Sequence, residues 1–140
     1  MSFNNICFIL ARPQLGENIG FVARALKNFN LTNLRIVNPR CNWPNQEALV
    51  TSVGAKNIIR SSKIYHSIEE SVADLDIIFA STSRIRKVNK KIISILDLKK
   101  KIKKKQKLVI FLVHKSSDLL NINLIVFFFF LKFPEIKNLN

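Results

Sequence analysis

Residues 6–37 read ICFILARPQLGENIGFVARALKNFNLTNLRIV, and this stretch decides the fold class. It opens with Ile6, Cys7, Phe8, Ile9 and Leu10, a run too short for a helix and rich in side chains that suit a buried strand. A loop containing Pro13 and Gly16 follows. Over 18–29, Ile19, Val22, Ala23, Leu26 and Phe29 recur at helical spacing, with Arg24, Lys27 and Asn28 on the other side. Asn18 reads as the N-cap of that helix, and Asn30 suits the left-handed residue that ends one. Residues 34–37 read as a second strand, before Pro39 and Pro44 mark a loop. Strand, helix and strand in succession point to an α/β fold, a mostly parallel sheet with flanking helices.

Outward from this unit the alternation continues. Residues 46–55 read as a helix, 63–65 as a strand, and Ser67 with Glu70 as a capping box opening a short helix to Ala73. Residues 77–80 read as a buried strand. A lysine-loaded helix capped by Asp97 comes next, with only Leu98 and Ile102 on an inner face. Residues 108–113 read as another buried strand. Residues 124–131, with Phe127, Phe128, Phe129 and Phe130 in succession, read as a last apolar strand, prone to aggregation if uncovered. No internal repeat or second domain is visible, so residues 1–140 are expected to form one domain.

At 48% hydrophobic residues the chain has enough apolar material for a core, which excludes disorder for most of it. No apolar run reaches the roughly 18 to 20 residues of a membrane helix, and no signal peptide is recognisable, so a cytoplasmic location is expected. Cys7 and Cys41 are too few for a disulfide framework or a four-ligand zinc site and are expected to stay free. His66 and His114 lack acidic or cysteine neighbours at ligand spacing, so no metal is expected. The 23 Lys+Arg against 9 Asp+Glu leave a net charge of +14, a surplus that calls for a polyanionic partner, nucleic acid ahead of an anionic membrane. Twelve of these basic residues lie between Arg84 and Lys107, where Asp97 is the one acid.

Chemistry is best placed in Arg12-Pro13-Gln14-Leu15-Gly16-Glu17-Asn18-Ile19-Gly20, because ligands of open α/β sheets gather at the carboxyl ends of strands. Gly16 is expected to let the backbone turn, and Gly20 to let another backbone or a ligand approach the helix. On these residues alone, an ordinary βα loop fits as well. All three glycines, Gly16, Gly20 and Gly54, lie in the first 54 residues.

The stretch 9–39, with Asn18, Gly20, Arg24, Ala25, Phe29, Leu31, Leu34, Val37 and Pro39 in phase, resembles the first motif of the SpoU/TrmH branch of the SPOUT RNA methyltransferases. Within that branch it most resembles the TrmJ group, which methylates a ribose in the tRNA anticodon loop. Ser81, Thr82, Arg84 and Arg86 resemble the family's strand end and basic loop. The resemblance implies an α/β fold with a C-terminal trefoil knot, a homodimer, S-adenosylmethionine as methyl donor, and methyl transfer to a ribose 2′-hydroxyl. It implies Arg24 and Asn18 as the catalytic pair, Asn18 holding the ribose or ordering the loop. It further implies Arg12, Arg84 and Arg86 as RNA contacts, with Lys99, Lys100, Lys101, Lys103, Lys104 and Lys105 adding phosphate attraction. Ser81, Leu112, Val113 and Leu119 take the donor-pocket positions. A guanidinium at Arg24 suits the chemistry, since it can hold a phosphate and stabilise developing oxyanion character on a weakly nucleophilic hydroxyl.

The second half departs from the pattern. Where the family's second motif reads Phe-Gly-x-Glu-x-x-Gly-Leu-x-Asn, this chain has Leu112-Val113-His114-Lys115-Ser116-Ser117-Asp118-Leu119-Leu120-Asn121. Val113 and Asp118 replace glycines, and Lys115 replaces the glutamate. Asn138-Leu139-Asn140 matches only the opening of the third motif, so an incomplete knot without its final helix is expected. Two functional expectations follow: an RNA ribose 2′-O-methyltransferase with an altered donor site, or an inactive RNA-binding remnant or decayed, truncated gene product.

Overall fold

A computed structural model of the chain describes residues 5–82, 92–93, 108–113 and 127–131. Strand β1 (Ile6–Ala11) sends Phe8 and Leu10 to one side and Cys7 and Ile9 to the other, and both sides are covered, as its unbroken apolar run requires. It is followed by α1 (Gly16–Asn28), β2 (Leu34–Val37), α2 (Gln46–Thr51), α3 (Lys56–Ser61), β3 (Lys63–Tyr65), α4 (Ile68–Val72), β4 (Ile77–Thr82), β5 (Ile92–Ile93), β6 (Leu108–Val113) and β7 (Phe127–Leu131). The strands stand in the order β3-β2-β1-β6-β4-β7-β5. The five from β3 to β4 are parallel; β7 runs antiparallel to β4, and β5 antiparallel to β7. The sheet therefore grows outward from β1 to β3, then crosses back and places β6 between β1 and β4. That reversal makes the β1–β6 boundary the switch point of the sheet.

Two apolar layers hold the sheet. On one face Leu10, Leu34 and Ile36 pack with Ile19, Ala23 and Leu26 of α1, Ala48 of α2, and Ile58 and Ile59 of α3. On the other, Cys7, Ile9, Val37 and Ile78 pack with Val72 of α4. Each fully buried aliphatic side chain contributes about 1.5–3 kcal/mol. The second layer also contains a charge. Arg35, 7% exposed, donates to both carboxylate oxygens of Asp74 at 2.6 and 2.8 Å and to the Ser71 carbonyl at 2.5 Å, and its guanidinium carbon lies 5.5 Å from the centre of the Tyr65 ring. The Asp74 carboxylate bonded to it, more than the opposing effect of burial, raises the arginine's proton affinity further.

Helix α1 ends as its sequence implies. Asn30 adopts φ 56°, its N–H donates to the Lys27 carbonyl at 3.0 Å, and the Leu31 N–H reaches back to Leu26 at 2.9 Å, a complete Schellman motif. Ser67 caps α4 by accepting from the Glu70 N–H at 3.1 Å, and Glu70 returns a carboxylate to the His66 N–H at 3.1 Å.

Two expectations change and one holds over its described residues. The segment 46–55 is not one helix: α2 stops at Thr51, Gly54 takes φ +65°, and α3 begins at Lys56 with Ile58 and Ile59 as its buried anchors. Strand β5 adds a pairing that Ile92 and Ile93 did not signal. The apolar segment 124–131 contributes Phe127–Leu131 as a strand paired in register from Ile78↔Leu131 to Thr82↔Phe127. The segments expected to hold the lysine-loaded helix and the knot fall outside the described residues.

Candidate functional site at the carboxyl ends of the strands

The five parallel strands bring their carboxyl ends to one edge. Ala11 stands opposite Val113, and Leu112 opposite both Leu10 and Ser81, so the β1, β6 and β4 termini are contiguous there. Ser81, Leu112 and Val113, expected at the donor side, are thus brought beside the strand that leads into Arg12.

The turn off β1 is made at Arg12, not at a glycine. Arg12 takes φ 50° and its N–H donates to the Val37 carbonyl at 2.8 Å, extending the ladder by one residue before the chain turns. The same device follows β2: Asn38 takes φ 43° and donates to the Tyr65 carbonyl at 2.8 Å. The Arg40 N–H then donates to the Pro13 carbonyl at 2.8 Å, tying the β2–α2 loop to the β1–α1 loop. Cys41 and Trp43 anchor the β2–α2 loop by packing against the core, which gives Trp43 a packing role. Burial first, and the Glu17 and Glu47 carboxylates next, push the Cys41 thiol upward in pKa.

Gly16 and Gly20 serve packing. Asn45 is the N-cap of α2, its Oδ1 accepting from the Ala48 N–H at 2.9 Å, and a Cβ on Gly16 would lie 1.7 Å from that oxygen. A Cβ on Gly20 would lie 1.9 Å from Thr51 Oγ1 and 2.7 Å from the Ala48 carbonyl. Gly20 therefore admits another backbone, that of α2, and Gly16 admits a capping side chain; neither makes the turn. Thr51 closes the contact by donating to the Glu47 carbonyl at 2.7 Å, with the Glu17 carbonyl at 3.3 Å, and Lys27 of α1 reaches the Gly54 carbonyl.

Asn18 is not the N-cap. The helix begins two residues earlier, with Leu15 at the cap and no side-chain bond there, because the close seat of Gly16 against Asn45 lets α1 start early. Asn18 is half-buried within the first turn, and Arg24 is exposed further along the helix. Arg12 is exposed at the strand edge. Leu119, Arg84, Arg86, Lys99, Lys100, Lys101, Lys103, Lys104 and Lys105 lie outside the described residues. Sequence reading missed Arg40, whose signal was its place after Asn38-Pro39, a pair that ends a strand and fixes the following turn. Among the described residues no group of three His, Cys, Asp or Glu is disposed to hold a metal, and no helix is long and apolar enough to cross a membrane.

These features define an open, mostly parallel α/β domain whose candidate site lies at the switch point of its sheet. Residues 5–117 match the SpoU rRNA Methylase family, and the chain belongs to that family. It is 35% identical over 77 residues to the tRNA (cytidine-2′-O-)-methyltransferase TrmJ of Methanocaldococcus jannaschii, covering 55% of this chain and 33% of the relative. It is 33% identical over 82 residues to the tRNA (cytidine/uridine-2′-O-)-methyltransferase TrmJ of Salmonella typhimurium, covering 59% and 33%. The crystal structure of TrmJ from Z. mobilis ZM4 superposes with a TM-score of 0.73 at 34% identity, over 81% of this chain and 54% of that one. The match to these curated relatives thus spans about a third of their length.

Proposed function

We propose that the chain is a TrmJ-like, RNA-directed domain that serves ribose 2′-O-methylation, with tRNA as substrate, in the cytoplasm and as a homodimer. The single observation that carries this is the family match over residues 5–117, which spans the loop leaving β1 at the switch point together with Asn18, Gly20 and Arg24 on α1.

In this reading Arg24 is the catalytic residue. Its guanidinium presents planar donors to the phosphate next to the target ribose and stabilises negative charge as it develops on the 2′-oxygen. Asn18, half-buried six residues ahead, holds the ribose or orders the loop. Packing of α1 on α2 through Gly20 fixes the helix carrying both, and orientation of this kind supplies much of the rate when the nucleophile is weak. Arg12, Arg84, Arg86 and the lysines from Lys99 to Lys105 supply sequence-independent phosphate attraction.

S-adenosylmethionine, the donor implied by the family resemblance, would supply an electrophilic methyl group on a sulfonium. The described residues do not fit it. Its adenosine and methionine parts require backbone they can approach closely. The chain has only three glycines, and the spaces beside Gly16 and Gly20 are filled by its own Asn45 and Thr51. The edge at Ser81, Leu112 and Val113 has none. This mismatch favours a second reading, in which the chain keeps the RNA-facing half of the site and transfers no methyl group.

Calorimetric titration of the folded chain with S-adenosylmethionine, followed by transfer of labelled methyl to tRNA, separates the two. Donor binding with methyl transfer that Arg24→Ala abolishes, at little loss of tRNA affinity, supports the methyltransferase. tRNA binding without donor binding leaves the remnant. Absence of tRNA binding by a folded sample refutes both.

A further inference from the structure

We infer that Arg40, together with Arg12, forms a phosphate-binding pair on the carboxyl edge of the sheet, through which the chain grips the RNA backbone beside the candidate site. The inference rests on the RNA-directed reading above and adds a residue to it.

The two arginines come from different loops, yet main-chain bonds knit those loops together. Arg12 is held by its bond to Val37, and Arg40 by its bond to Pro13, each at 2.8 Å. Arg40 is further fixed by what flanks it. Asn38, with φ 43° and its bond to Tyr65, starts the turn, Pro39 locks its own φ in the turn, and Cys41 packs against the core just beyond. The backbone under each arginine is therefore ordered before any ligand arrives, which lowers the entropy lost on binding.

Both side chains are exposed, and neither forms an ion pair with a described residue. Arg35 shows the contrast. It is buried and committed to Asp74 and the Ser71 carbonyl, a structural use. Arg12 and Arg40 stand just past the paired carboxyl ends of β1 and β2, beside the β1–β6 boundary, and a guanidinium matches phosphate oxygens in bidentate geometry. Glu17 and Glu47 lie near enough to influence Cys41 between them, so the local field is mixed. That composition favours an extended polyanion anchored also elsewhere on this +14 chain over a lone small anion.

The test is binding of an unmodified tRNA transcript to the full chain across a salt series. Arg40→Ala and Arg12→Ala should each flatten the slope of log affinity against log salt by about 0.7–0.9, one phosphate contact apiece. Low-salt affinity should fall about three- to tenfold. Arg40→Lys should keep the slope and lose part of the affinity, since the charge remains and the fork does not. Arg60→Ala is the control: Arg60 is exposed in the last turn of α3, just ahead of β3, at the opposite edge of the sheet. Should Arg40→Ala alter the far-UV dichroism, Arg40→Gln carries the same comparison. An Arg40→Ala slope equal to that of Arg60→Ala overturns the inference while parent binding stands. Failure of the parent chain to bind tRNA at any salt overturns the RNA-directed reading, and the pair with it.

Discussion

Substituting Gly20 by alanine tests the packing that carries the candidate site. At an unobstructed helix position the change would stabilise by about 1 kcal/mol, because glycine is the poorer helix former. Here the new Cβ would meet Thr51 Oγ1 at 1.9 Å, the Ala48 carbonyl oxygen at 2.7 Å and the Ser52 nitrogen at 2.9 Å. A threonine side chain can rotate away, whereas the latter two atoms are backbone. Moving Ala48 from 2.7 Å to the 3.4 Å where ordinary contact begins requires α2 to retreat about 0.7 Å. Its buried Ala48 and the cap at Asn45 resist that shift. Overpacking of this kind costs about 1–3 kcal/mol, so the expected net loss is up to about 2 kcal/mol. In urea, with a slope of about 2 kcal/mol per molar, the midpoint should fall by up to about 1 M at unchanged slope. A double-mutant cycle with Thr51→Ala should recover less than half of the loss, since it removes only the side-chain part of the clash. A midpoint that rises on Gly20→Ala, or full recovery by Thr51→Ala, would refute the argument that α2 backbone defines the seat of α1.

Two further predictions concern the second layer of the core. Asp74→Ala should destabilise by about 1–3 kcal/mol, less than for a fully buried pair because Asp74 is half exposed, and urea unfolding measures it. Cys7 should give the fold an alkaline weakness. Burial first, and Asp74 less, push its thiol from 9.0 to about 11, against the opposing pull of Arg35 and Lys63. Between those values the folded chain holds a proton that the unfolded chain has lost. Its contribution is complete below about pH 9 and lost as pH rises towards 11, about 3 kcal/mol in all. Unfolding midpoints under reductant should fall over that window in the parent and fall less in Cys7→Ala; equal slopes would contradict the assignment.

Much of the fold is written locally. The apolar runs that became β1, β2, β4 and β6 are short, so their length alone separates them from helices. Asn30 and the Ser67–Glu70 pair announce helix ends, because capping is chemistry between residues a few positions apart. What local pattern left open were features set by distant partners. Local pattern carries the helix from 46 through 55, because nothing nearby shows that the Gly54 carbonyl accepts from Lys27 of α1. Asn18 looked like a cap because the seat of Gly16 on Asn45 is a contact between segments far apart in the chain.

The candidate site divides in the same way. By itself the sequence determined an α/β chain with a +14 charge and a strand–loop–helix unit bearing Asn18, Gly20 and Arg24. Composition and periodicity are properties of neighbours, and they need no fold to be read. Only the tertiary structure decided that β6 slides between β1 and β4, that Arg12 makes the turn, and that Arg40 is tied to Pro13 beside it. It also decided that Arg35, one charge in an apolar strand, is neutralised by an aspartate 39 residues away. These outcomes depend on which surfaces close on one another, and backbone groups leaving the water must find partners wherever the closing chain supplies them.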